Sequence, residues 1–203
     1  MKRFIVCLAF ITITATAVNA QLIRGAGIKV GATFSKQNWD YSSSGDTEKY
    51  DRTGLNLGGF IEFFDNPLLT LVTEINYVQK GITRETEIPI PGPNPVVSTD
   101  KRIDYLNLAA LGKVRLNLGL VEPYVLAGPK IDFELTKENE QDIENNFQKG
   151  RWGLKVGVGS EINLLPLNLF AEILYDADFN ELYDNQNLKI ETNSVDLRIG
   201  ILF

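Results

Sequence analysis

Histidine is absent from all 203 residues, and the chain holds one cysteine, one methionine and two tryptophans. Without an imidazole there is no Ser-His-Asp or Cys-His nucleophile pair, no His-ligated zinc and no ordinary histidine acid-base catalysis. The lone Cys7 lies near the N-terminus, so the remainder of the chain forms neither a disulfide nor a thiolate site. Basic charge is also scarce: 20 Lys and Arg stand against 26 Asp and Glu, a formal net charge of -6. Such a chain has no cationic surface for phosphates, and nucleic acid is not an expected partner. The length suits one folded domain.

The N-terminus carries a leader. Lys2 and Arg3 precede an apolar run over residues 4–18 that closes on Val18-Asn19-Ala20, where small residues suit a signal peptidase. The expected organisation is a signal peptide over 1–20 and one domain over 21–203. Cys7 sits inside the apolar run, not at its end, which argues against lipidation. No later stretch is long and apolar enough for a membrane helix, so any membrane crossing falls to strands.

Strand patterning is regular. Ile28, Val30, Ala32 and Phe34 share one parity, against Lys29, Gly31, Thr33 and Ser35 on the other. This is period two, not 3.6. The alternation recurs in seven further segments, ending with Val195, Leu197, Ile199, Ile201 and Phe203 against Ser194, Asp196, Arg198, Gly200 and Leu202. Each segment runs about ten residues, enough for a tilted strand to cross a bilayer. Short links fall at Asp65-Asn66-Pro67, 117–122 and 163–166, whereas long polar loops are expected over 36–52, 82–102, 136–150 and 178–192. If the N-terminus is periplasmic, every short turn shares that side and every long loop the other. The expected fold is all-β: an eight-stranded antiparallel up-and-down transmembrane β-barrel in the outer membrane.

Alternation alone fits a soluble barrel with an apolar core equally well, and content separates the two. The polar parity mixes charges with glycines such as Gly153, Gly157 and Gly159, as a narrow lumen requires when large and small side chains must interdigitate. A turn at Leu164-Leu165 would set Phe170 across from Gly159. The apolar parity ends in aromatics at both rims: Phe34, Tyr77, Phe133, Trp152 and Tyr175 outside, Phe63 and Phe203 on the periplasmic side, a pair of girdles. Between the rims that parity carries no charge, where a single Arg or Lys would cost roughly 2–4 kcal/mol.

Ten charges occupy the inward parity. Lys29, Lys113, Arg115, Lys155 and Arg198 balance Glu62, Glu74, Glu161, Glu172 and Asp196. They are expected to be a paired plug inside the barrel, since charges removed from water persist only with partners. An ion pathway or a glycosidase-like carboxylate pair is the competing reading. Two loops are weaker candidates. Residues 178–184 offer oxygen ligands but lack the glycine of a calcium loop, and the proline-rich 88–95 is a stiff segment that could dock a partner. No catalytic residue, metal ligand or cofactor site is expected.

Gly27-Ile28-Lys29-Val30-Gly31, Glu74-Ile75-Asn76-Tyr77-Val78-Gln79-Lys80-Gly81, Tyr105-Leu106 leading to Leu111-Gly112-Lys113, and Pro123-Tyr124-Val125-Leu126-Ala127-Gly128-Pro129 together resemble the PorT family of outer-membrane β-barrel proteins from Bacteroidetes. The resemblance spans nearly the whole chain after the leader. It implies an eight-stranded outer-membrane barrel, and its founding member is linked to protein secretion. The terminal Phe203 resembles the signal read by the outer-membrane assembly machinery. Expected partners are outer-membrane lipid, that machinery during biogenesis, and an envelope protein reached through the loops. A soluble ligand-binding barrel outside the cytoplasm and a membrane hydrolase are the alternatives.

Overall fold

The computed structural model describes residues 22–41, 47–64, 66, 69–87, 96–137, 150–164, 166–179, 183–185 and 188–203. The expected signal peptide, the proline-rich 88–95 and residues 180–182 of the acidic loop lie outside them. Eight long strands follow one another: β1 (Ile23–Tyr41), β2 (Thr47–Phe63), β3 (Leu69–Glu87), β4 (Val96–Arg115), β5 (Val121–Lys137), β6 (Gly150–Leu164), β7 (Leu167–Asp178) and β9 (Leu188–Leu202). A three-residue β8 (Tyr183–Asn185) pairs with the start of β9. Each long strand is antiparallel to its sequence neighbours, and β9 pairs with β1, so the sheet closes with no edge.

The closure is staggered. Cross-strand partners from Phe34 run through Val195, Tyr175, Val156, Ala127, Gly112, Leu71 and Phe63 back to β1 at Ile23. Such a stagger tilts every strand against the barrel axis.

Packing follows the two parities. Ile28, Val30, Leu57, Ile75, Val125, Val158, Ile173 and Ile199 stand exposed on the outside, while Lys29, Asn56, Glu74, Asn107, Lys155, Asp196 and Arg198 are buried. A soluble barrel would need the reverse, so the ligand-carrying alternative is set aside. Unpaired backbone groups are costly in lipid, and a closed ladder leaves none at an edge.

Two expectations are corrected. The β6–β7 turn is not centred on Leu164-Leu165, because Leu164 pairs with Leu167 and Pro166 lies in the turn. Proline lacks the N–H a ladder needs, so Pro166 is held in the turn and the register moves on. Phe170 therefore faces Glu161 on β6 and Gly200 on β9, and it is Tyr124 whose ring covers Gly159. The other correction concerns the outer loops. Much of 36–52, 82–102 and 178–192 continues as strand, with Trp39 opposite Glu48 and Glu87 opposite Val96. Beyond lipid nothing demands an apolar parity, so pairing runs on after the hydrophobic signal has stopped.

Candidate functional site

The lumen gathers the chemistry-bearing residues in four layers. At the periplasmic end Lys113 joins Glu62 at 2.8 Å and also pairs with Glu161. Arg24 reaches Glu161 at 2.9 Å and pairs with Glu62. The β-bulge between Ile23 and Gly25 turns Arg24 inward, against the parity of the rest of β1. Arg115 donates to Thr70 Oγ1 and the Asn66 carbonyl, each at 3.1 Å, and lies 3.7 Å from Glu122.

An aromatic layer lies above. Phe60 and Phe170 meet edge to face with centroids 5.3 Å apart. The Tyr124 ring centroid lies 4.0 Å from the Lys113 ammonium, and its hydroxyl donates to Glu172 at 3.0 Å. A Cβ on Gly159 would lie 2.4 Å from Tyr124, and one on Gly200 2.4 Å from Phe170. Ring and bare backbone are complementary, as a small barrel requires.

Glu74 centres the third layer. Arg198 donates to both its oxygens at 3.1 and 3.2 Å and touches Glu172 at 2.7 Å. Lys29 pairs with Glu74 and lies 3.9 Å from Glu172. Lys155 donates to Asn107 at 2.7 Å, and its ammonium lies 4.0 Å from both Glu74 and Asp196. Thr33 donates to Asp196 at 2.6 Å. Among the lining of Lys29, Phe60, Glu74, Lys113, Tyr124 and Glu172 the residual cavity is about 10 Å³, room for one water.

The outermost layer sets three cations on three acids. Lys80 meets Asp132 at 3.0 Å and Asp176 at 3.2 Å. Lys130 meets Asp132 at 2.8 Å and pairs with Asp176 and Asp178, and Arg151 holds Asp178 at 2.6 Å over the Tyr105 ring. The three carboxylates approach one another within 4.8 Å. Their charge is spent on Lys80, Lys130 and Arg151, so the cluster is ionic and not an open cation cradle.

All ten charges singled out in the sequence lie buried in this lumen. Of the girdle residues, Phe34, Phe133, Trp152, Tyr175 and Phe203 face outward and exposed, while Phe63 and Tyr77 are half-buried at the surface. The wider network holds residues that sequence reasoning did not assign to it: Arg24, Lys80, Glu122, Lys130, Asp132, Arg151, Asp176 and Asp178. Lys130, Asp132 and Asp176 already stood on inward parity, and extending that parity past the girdle would have added Lys80 and Arg151.

This architecture recurs in known proteins. Outer membrane protein OprG from Pseudomonas aeruginosa is 13% identical, with 90% of this chain and 97% of that one covered and a TM-score of 0.50. AlkL, solved in DMPC lipid bilayers, is 10% identical over 90% of each chain, also at 0.50. Neisserial surface protein A is 16% identical, covering 88% of this chain and 98% of that one, at 0.48. No curated protein sequence matches the chain. The outer membrane protein beta-barrel domain profile matches residues 19–184. A closed eight-stranded barrel with a hydrocarbon skin, matched by that profile over most of its length, sits in outer-membrane lipid: the chain belongs to the outer membrane protein beta-barrel domain family.

Proposed function

We propose that the protein is a non-conducting, non-enzymatic outer-membrane barrel that works through its outer hairpins or by association within an envelope complex. The filled lumen carries this reading. Four layers of paired charges and rings leave about 10 Å³ in the aromatic and Glu74 layers, too little for a hydrated ion or a substrate. The lumen charges are matched in sign, so they offer no selectivity to an ion. No histidine is present to serve a hydrolase, and Glu74 and Glu172 are held by Arg198.

The resemblance to PorT proteins supports a place beside secretion or other envelope assemblies, with cleavage after Ala20 on the way to the outer membrane. The β1–β2 and β3–β4 ladders extend past the outer girdle and are the parts that a partner would meet first. Planar-bilayer recording of the purified protein is the direct test, and no steady channel is expected. A stable conductance would overturn the closed reading. Affinity capture from cross-linked envelopes, with and without the tip of the β3–β4 hairpin, tests the association.

A further inference from the structure

At the periplasmic end of the barrel the side chains sort in an unusual way. Among the described residues of this rim, no charged side chain is exposed: Arg24, Glu62, Arg115, Glu122 and Glu161 all turn into the lumen. What faces outward is leucine. Leu116, Leu118 and Leu120, on the link between β4 and β5, are 60%, 71% and 61% exposed. Leu164 and Leu167 flank the β6–β7 turn, and Phe64 follows β2, all exposed. A rim bathed in water would carry charge there, as the outer rim does with Lys36 and Asp51.

Part of the backbone of the β4–β5 link is also paired within the protein. Asn117 Oδ1 accepts from Gly119 N at 3.0 Å, and Asn163 Nδ2 donates to the Gly119 carbonyl at 3.4 Å. Asn163 N donates to the Leu120 carbonyl and Leu116 N to the Pro123 carbonyl, both at 2.9 Å. The turn after β2 is tied likewise: Phe64 N donates to the Leu22 carbonyl and Asn66 N to the Phe64 carbonyl, each at 2.8 Å. Backbone groups in a low-dielectric medium must find partners within the protein, whereas a watery turn needs none. Asparagine side chains supply those partners here while the leucines project.

From these two observations we propose that the periplasmic turns dip into the acyl-chain and headgroup boundary of the inner leaflet, with Leu118 at the tip of the β4–β5 link as the most exposed apolar contact with that layer. The occupant of this rim is lipid, because its leucines continue the lipid-facing belt of Val114, Val125, Ile162 and Leu169, with the uncharged Asn66 and Asn117 as the exposed polar side chains among them. The barrel is therefore seated asymmetrically. Its outer hairpins stand clear of the membrane, and its inner turns do not reach the periplasm as free loops.

The test places an environment-sensitive fluorophore on L118C and, separately, on L164C and D51C, each with Cys7 replaced by Ser, in phosphatidylcholine nanodiscs. Heat-modifiable gel migration establishes that each labelled barrel is folded. At 118 and 164 the expected result is blue-shifted emission, at least twofold quenching by lipid brominated near the top of the acyl chain, and little quenching by aqueous iodide. At 51 the pattern is reversed. Iodide quenching at 118 and 164 equal to that at 51, with no effect of brominated lipid, would place the turns in water and overturn the proposal. Excimer emission from pyrene at 118 that rises with the number of barrels per nanodisc would overturn it in favour of a second copy.

Discussion

The two ends of this barrel obey different rules. At the periplasmic end the ladders stop close to the last apolar pair, the turns are short, and the inward charges lie directly behind outward leucines. At the outer end the β1–β2 and β3–β4 ladders run on after the apolar parity has ended, and exposed Lys36 and Asp51 take the places that leucines hold below. Backbone pairing is thus common to both ends, while apolar alternation is imposed only where lipid touches the strand. The lumen differs in the same direction. In its middle, Glu74 is the shared anchor for Arg198 and Lys29, whereas near the outer mouth each of three acids meets two cations, so the loss of Lys80 leaves every acid a partner.

That difference in redundancy sets the largest expected effect. Glu74→Ala leaves Glu172 as the one remaining carboxylate for both Arg198 and Lys29 in a sealed interior, and breaking a buried pair by removing one partner costs about 3–5 kcal/mol. Urea unfolding in detergent micelles should show that loss. Bilayer recordings should stay silent, since Phe60, Phe170 and Tyr124 still close the layer beneath. Lys80→Met should cost less, about 2 kcal/mol, because Asp132 and Asp176 each keep Lys130. Equal losses for the two variants would erase the distinction between an anchored middle and a shared outer cluster.

Which residues face inward was readable in the sequence wherever lipid enforces the alternation, and for that reason Lys29, Glu74, Lys155 and Arg198 stood out. The signal failed where a local feature resets parity or where lipid ends. Arg24 precedes the regular stretch of β1 and is turned inward by a bulge, which no spacing rule announces. Lys80 lies past Tyr77 and Arg151 before Trp152, outside the apolar runs, so neither was counted among the inward charges. The β6–β7 register turned on whether Pro166 sits in the turn or in the ladder, and one misplaced turn moved Phe170 from Gly200 to Gly159. The outer hairpins were hidden for a simpler reason: a paired strand in water has no need of period-two hydrophobicity.

The aromatic layer lies between the periplasmic ion pairs and the Glu74 layer, and its fit is testable at one atom. Gly200→Ala forces a methyl against the Phe170 ring and the Ile28 carbonyl, and overpacking of this kind should cost about 1–3 kcal/mol. Phe170→Leu in the same chain should recover the part of that loss that the ring imposes. Two destabilisations that simply add in the urea titration would mean that ring and glycine do not share the space.

The smallest effect probes the outer rim itself. Trp152 faces outward near the outer end of β6, and its ring meets Phe179 edge to face at a centroid distance of 5.0 Å and 75° between planes. Phe179 N also donates to the Trp152 carbonyl at 2.9 Å, so the end of β7 is held by backbone whatever side chain stands at 152. Trp152→Ala should therefore remove only the ring contact and the interfacial anchor, about 1 kcal/mol, and Trp152→Phe less than half of that. Unfolding midpoints in nanodiscs would read both values. A loss at Trp152 as large as that at Glu74 would mean that the outer rim, and not the salt-bridged lumen, holds the barrel in its fold.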